Sequence, residues 1–393
     1  MTAVLAPFLV VGYLVGAIAD LIRRRPWFCL LGASAVVAAA AIVGLLFTLQ
    51  RPPPVSIQLG YRGVAMQQTY NPRQVGAQQA IQLVDPVLPP VKPAGRKASE
   101  VYKNIKVLGD LDANEFLRLM GAMTQWIAPQ AGCAFCHSLN NMASDAVYTK
   151  TIARRMLQMT WKINADWKVH VGSGGVTCQT CHRNEAIPTG SWFVQPPPHG
   201  SRGLTEAAVG QNLPAREAGL TALPYDPLTP FLLDAAPIRV IGRTALPNGD
   251  RSSINQTDWT YAFMIYFANS LGVNCTYCHN TRAFEEWDQS TPNRTVAWHG
   301  IRMTRELNHE YMLPLTDTFP RDMRGKLDDV PKIGCVSCHN GAYKPFYGAS
   351  ALSAYPELAA PVGGATVAAA TEATPIPEAA LIPSQPAAGS GRP

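Results

Sequence analysis

The sequence predicts a mainly α-helical chain with much loop, tethered by one N-terminal transmembrane helix. Three observations carry this expectation. An uncharged apolar run of 24 residues fills positions 26–49. Four amphipathic stretches further along have helical spacing, and each stands ahead of a Cys-x-x-Cys-His motif. The 33 prolines and 31 glycines among 393 residues favour loops over a regular sheet or bundle.

Residues 1–50 are the expected membrane-anchoring segment, with its helix over about 26–49. Twenty-four apolar residues are enough to cross a bilayer. Arg23, Arg24 and Arg25 precede them and predict a cytoplasmic N-terminal side, with the remainder exported. No small-residue cleavage site follows, so an uncleaved anchor is expected rather than a removed signal peptide. The run from Ala3 to Ile22 is also apolar but holds Pro7, Gly12, Gly16 and Asp20, and reads equally as a second membrane helix or a surface segment. Cys29 lies inside the apolar run and reads as an inert membrane residue; a lipid-modified cysteine would want small residues where Pro26-Trp27-Phe28 stand.

Residues 51–99, with Pro52-Pro53-Pro54, Pro89-Pro90 and Pro93, read as an extended connector. The folded body is expected over 100–358. Residues 359–393 are nearly all Ala, Pro, Gly, Thr and Glu, too poor in apolar surface to fold, and are expected to be disordered. The formal charge of +6 owes half its value to Arg23–Arg25 beside the apolar run. No basic run with interleaved aromatics exists, so no nucleic-acid partner is expected.

Eight of nine cysteines fall into four identical spacings. They are Cys133-Ala-Phe-Cys136-His137, Cys178-Gln-Thr-Cys181-His182, Cys275-Thr-Tyr-Cys278-His279 and Cys335-Val-Ser-Cys338-His339. Two thiols at this spacing bond the two vinyl groups of a haem, and the following imidazole reaches its iron. Zinc knuckles use paired Cys-x-x-Cys but do not require a His directly after each pair. Disulfides within the pairs would leave all four histidines unexplained. Four covalently bound haem c groups are therefore expected, with about eight propionates that offset the basic formal charge.

A unit recurs: amphipathic helix, turn, haem motif. The helices are expected over 115–126, 152–170, 259–271 and 296–313, with Asp112 capping the first and Gly172, Gly174 and Gly175 stopping the second. The motif histidines are 45, 97 and 60 residues apart, which suggests two pairs of haems joined by residues 183–254. A short strand at Ile238–Ile241 is expected within that connection.

A sixth ligand matters because methionine opposite histidine raises a haem's potential relative to a second histidine. Met120 and Met123 share one helical face ahead of the first motif, and Met264 stands ahead of the third. Before the second motif come Met156, Met159 and His170. A continuous helix puts Met156 and His170 roughly 21 Å apart, too far to share one iron. Loop length alone assigns His170 to its near neighbour, the haem on His182. The fourth haem has Met303, His299, His309, Met312 and the distant His170 as candidates, with His299 and His309 more ordinary as surface or propionate-facing residues. His199, after three prolines, reads as a loop residue.

Several stretches carry a wider likeness: VYKNIKVLGDL (101–111), EFLRLM (115–120), ARRMLQMT (153–160), SLGVNCTYCHN (270–280), GIRMTREL (300–307) and KPFYGAS (344–350). With the four haem motifs, these residues resemble the tetrahaem cytochrome subunit of photosynthetic reaction centres of the purple-bacterial type. The resemblance implies a multihaem cytochrome c fold of two haem-pair halves related by a pseudo-twofold axis. It implies Met120 as ligand of the His137 haem, Met156 of the His182 haem and Met264 of the His279 haem. It gives His170 to the His339 haem, against the loop-length reading. It implies a periplasmic electron carrier, with no substrate chemistry of its own, that takes electrons from a soluble donor such as a small cytochrome c or a high-potential iron-sulfur protein. The acceptor is the photo-oxidised special pair on the membrane subunits, and the third-motif haem lies nearest it. Several members are lipid-anchored at an N-terminal cysteine, whereas this chain carries an apolar run. A multihaem quinol dehydrogenase would want more histidines near the first and third motifs. A multihaem reductase would want an open iron, which four sixth-ligand candidates argue against.

Overall fold

The computed structural model describes residues 20, 23–24, 26–48, 53–58, 67–196, 217–219, 223–238 and 254–361. His199, most of the expected 238–241 strand, most of the 3–22 run and the tail beyond 361 lie outside the described residues. The chain divides into two compact units, the smaller holding the N-terminal helix.

Helix α1 spans Pro26–Thr48. Its stretch Leu30–Thr48 is long and apolar enough to cross a membrane, 19 residues against the roughly 30 Å hydrocarbon layer. Leu30, Val36 and Phe47 are exposed, as lipid-facing side chains would be. Ser34, a polar residue inside the run, returns its hydroxyl to the Leu30 carbonyl, so no donor is left for a bilayer to solvate.

The segment read as an extended connector holds more structure than its prolines suggest. Strands β1, Val55–Gln58, and β2, Gln67–Tyr70, pair antiparallel with Val55 opposite Tyr70. Helix α2 follows at Pro72–Ile81. Residues 82–96, within the larger unit, form no helix or strand and are held by hydrogen bonds. Gln82 is buried and donates to the carbonyls of His339 and Asn340 while accepting from Phe346 N–H. Arg118 donates to the Leu88 and Pro89 carbonyls.

In the larger unit, α3 spans Ala113–Ile127. Asp112 caps it, accepting from Asn114 N–H and also from the Ala94 and Gly95 N–H groups. Leu119, Ala122 and Trp126 recur at helical spacing and bury against Tyr355 and Leu358. Helix α4, Tyr148–Asp166, does not run on to His170: it breaks at Trp167, and α5, Lys168–Val171, is a separate turn. Gly172 ends α5 at φ 68° and ψ −163°, a conformation open only to glycine. Helix α6, Cys178–His182, is the second motif itself. Helix α7, Ile254–Leu271, buries Phe263 and Phe267 against Phe231 and Leu232. Helix α8 is Pro292–Leu307, opening on a proline whose missing N–H costs nothing in a first turn, and a wider turn over Asn308–Met312 follows. Helix α9, Cys335–His339, is the fourth motif. Helix α3 packs on α6, α7 on α9, and α6 on α9.

The same hydrogen bonds recur along α4 and α8. Thr160 Oγ1 donates to the Met156 carbonyl, and Thr304 Oγ1 to that of Gly300. Asn164 exchanges two bonds with the backbone of Val176, two residues before Cys178. Asn308 does the same with Ile333, two residues before Cys335. Each asparagine is buried and also donates to a second carbonyl, that of Leu358 or Leu232. Asn164→Ala is expected to cost about 2–4 kcal/mol, because three backbone groups lose their partner, and Asn308→Ala less, because Trp192 Nε1 still donates to the Ile333 carbonyl. Denaturant unfolding of the two variants checks this.

Candidate haem sites

The four motifs adopt two local forms. The second and fourth are the helices α6 and α9. In each, the third residue's hydroxyl accepts from the backbone just before the first cysteine: Thr180 from Thr177 N–H at 3.0 Å, Ser337 from Gly334 N–H at 3.1 Å. In each, the residue after the histidine is left-handed, Arg183 at φ 47° and Asn340 at φ 45°. The first and third motifs are tighter 3₁₀ turns, Gly132–Phe135 and Cys275–Tyr277. A small bridge follows each, Ser138 with Asn141 and Asn280 with Ala283.

All four motif histidines have the ring nitrogen Nδ1 on a backbone carbonyl. His137 meets Met142 O at 3.0 Å, His182 Glu185 O at 2.9 Å, His279 Phe284 O at 2.8 Å and His339 Ala342 O at 2.8 Å. A ring nitrogen facing a carbonyl carries the proton, which leaves the Nε2 lone pair for a metal. His170 follows the same rule, with Nδ1 2.9 Å from Val296 O on α8. His309 reverses it: its Nε2 faces Leu233 O at 2.7 Å, so the nitrogen that would reach iron is engaged. His299 packs edge-on to Trp298.

The rings of His170 and His339 have centroids 6.1 Å apart and planes 62° apart. Two imidazoles on opposite sides of one metal at about 2.0–2.1 Å have centroids roughly 6 Å apart. Pairing His170 with His182 by loop length runs against this geometry. Burial holds the His170, His182 and His279 imidazoles below their ordinary pKa, and burial, then the neighbouring His170, takes His339 down to about 4. Neutral rings are the metal-binding form.

Met120 is half-buried and lines, with Cys133, Cys136 and His137, a cavity of about 600 Å³, large enough for a small-molecule cofactor. Met123 lines it too, but is buried in the α3 core. Met156 and Met264 are half-buried at the edges of their clusters. Met159, Met303 and Met312 are buried packing residues. Among the described residues no group of three or more His, Cys, Asp or Glu converges on a metal position.

Cys181 and Cys338 are joined by a disulfide, their Cα atoms 4.3 Å apart. A thioether at either cysteine would stand in place of this bond. Cys133, Cys136, Cys178, Cys275, Cys278 and Cys335 are free, and reducing the one bond returns all eight motif thiols. The reason is packing: α6 lies directly on α9.

Arg183 fills the same junction. Its guanidinium donates to the Ile81 and Cys338 carbonyls at 3.0 and 2.9 Å and to Gln82 Oε1 at 3.2 Å, over the Phe346 ring. Burial takes its pKa down to about 10. Arg183 Nε and Trp167 Nε1 are buried without a hydrogen-bond partner. Buried donors of this kind want an acceptor, and a haem propionate is one. The donors, the cavity and the imidazole tautomers all fit haem.

Residues 50–359 match the family model described as the photosynthetic reaction centre cytochrome c subunit. The chain belongs to this family. It is 46% identical over 340 residues to the photosynthetic reaction center cytochrome c subunit of Rubrivivax gelatinosus, covering 86% of this chain and 91% of that one. The subunit of Thermochromatium tepidum is 44% identical over 82% of this chain and 79% of its own. That of Roseobacter denitrificans is 40% identical over 83% and 90%. Membership implies covalently bound haem c and an electron-transfer role within a membrane-associated complex, with α1 the candidate anchor. Asn164, Asn308, Gln82 and Arg183 are absent from a reading by motif. The two asparagines stand at unequal distances from the cysteines they serve, so no fixed spacing marks them.

Proposed function

We propose that the protein is a tetrahaem relay that re-reduces the photo-oxidised special pair of a reaction centre. In this reading Cys133, Cys136, Cys178, Cys181, Cys275, Cys278, Cys335 and Cys338 hold four haems by thioethers. The axial pairs are His137 with Met120, His182 with Met156, His279 with Met264, and His339 with His170. The observation that carries it is the set of five imidazoles, each with Nδ1 on a carbonyl, two of them with ring centroids 6.1 Å apart. Each haem supplies a one-electron iron couple. The chain's own work is to fix every imidazole's tautomer and tilt, fill both axial positions and keep water from the iron. Iron with both positions filled would have no seat for a substrate, which favours a relay over a reductase, while the few histidines near the first and third motifs weigh against a quinol dehydrogenase.

The two local motif forms, alternating first with third and second with fourth, support two halves related by a pseudo-twofold axis. The chain would sit on the periplasmic face, held by α1, between a soluble donor such as a small cytochrome c or high-potential iron-sulfur protein and the membrane subunits. Flash excitation of the purified complex should oxidise a c-type haem on this chain, and haem quantitation should give four per chain. A silent flash in a complex with intact pigments sinks the relay reading, and fewer than four haems sinks the site assignment.

A further inference from the structure

The recurring bonds of α4 and α8 put their residues in register. Thr160 matches Thr304 and Asn164 matches Asn308, each pair sharing the same partners in its own half. In this register Met159 matches Met303, and both are buried packing residues. Met156 matches Gly300. The first half thus has a methionine where the second has no side chain.

The His170 ring takes up the space a side chain would need there. A Cβ built on Gly300 would meet His170 Cε1, and would lie 2.9 Å from its Nδ1 and 3.0 Å from its Nε2. The ring atoms cannot retreat freely, because Nδ1 is held by the Val296 carbonyl one helical turn earlier. Helix α8 packs against α5, which carries His170. Gly300 is buried and sits mid-helix, where glycine costs a helix about 1 kcal/mol relative to alanine. No positive φ accounts for it. The ring does.

We infer that Gly300 is a vacated ligand position: α8 gives up its own methionine there and provides a seat for His170 instead. Val296 O sets the ring's tautomer, and the absent Cβ sets how close and at what tilt the ring stands. Gly300 is a positioning residue, and its role rests on the reading of His170 as the ligand opposite His339.

Four variants of the full chain, purified with its complex, test this: H170A, G300A, H170A/G300A and H170A with Gly300→Met. G300A should shift the low-spin EPR signal of one haem and lower the thermal midpoint, leaving the other three signals in place. In the H170A background the same alanine should be neutral or stabilising, because the clash is gone. Should G300A fail to accumulate, the double variant should accumulate like H170A. H170A with Gly300→Met should restore a low-spin haem bearing the near-infrared band of methionine-ligated ferric iron. Equal destabilisation by G300A in both backgrounds, an unmoved EPR signal, or a high-spin haem in the methionine variant overturns the inference while leaving His170 as ligand. An H170A spectrum identical to wild type overturns the ligand reading itself.

Discussion

Replacing His170 with methionine should raise the potential of one haem and leave three unchanged. A thioether is a weaker donor than imidazole and stabilises the reduced iron. The expected shift is on the order of 0.1–0.2 V, a fraction of the roughly 0.8 V that axial ligands span. The altered haem should be the one on His339, since the His170 ring stands 6.1 Å from that ring across 169 residues of sequence. Potentiometric titration with EPR of each step checks it. A shift in the His182 haem would return His170 to the near-neighbour assignment, and no shift would make it a packing residue.

Arg183→Met should both destabilise the body and lower the potentials of the haems on His182 and His339. The substitution keeps the aliphatic stem over Phe346 and removes a buried cation. The part-buried Cys338 carbonyl loses its donor, at an expected cost of about 1–3 kcal/mol, while the exposed Ile81 carbonyl turns to water. The electrostatic part follows from Coulomb's law. A unit charge some 10 Å from an iron, at an effective dielectric near 20, is worth about 1.7 kcal/mol, or roughly 70 mV for a one-electron couple. Arg183→Lys separates the two effects, since lysine keeps the charge but not the planar fork. Its potentials should stay near wild type while its unfolding midpoint falls. Unchanged potentials in Arg183→Met would mean the charge is already neutralised by a bound propionate.

What was legible in the sequence was local. The four motifs, the Asp112 cap and the helices before each motif come from residues within a few turns of one another. Helix ends were less legible: α8 begins at Pro292 rather than Val296, and α4 stops at Trp167 short of His170. Pairings across the chain were not legible from spacing, and only the family resemblance gave His170 to the His339 haem. Loop length favours His182 for His170 because it weighs only sequence distance, whereas the α5–α8 contact decides where the ring stands. Gln82 lies in a Pro-rich run and gives no apolar signal, yet it is buried on the fourth motif. Gly300 shows only as a glycine in a helix until the ring beside it is seen.

The contact between α6 and α9 also sets a timetable for assembly. Cys181 and Cys338 come within bonding reach across 157 residues of chain. In an oxidising compartment, a chain that folds before these thiols are used will close that bond and lose two attachment points. That bond and a thioether at either cysteine exclude one another, so attachment comes before the bond closes or after its reduction. A chain denied haem should accumulate as a closed, cross-linked product rather than as an open precursor.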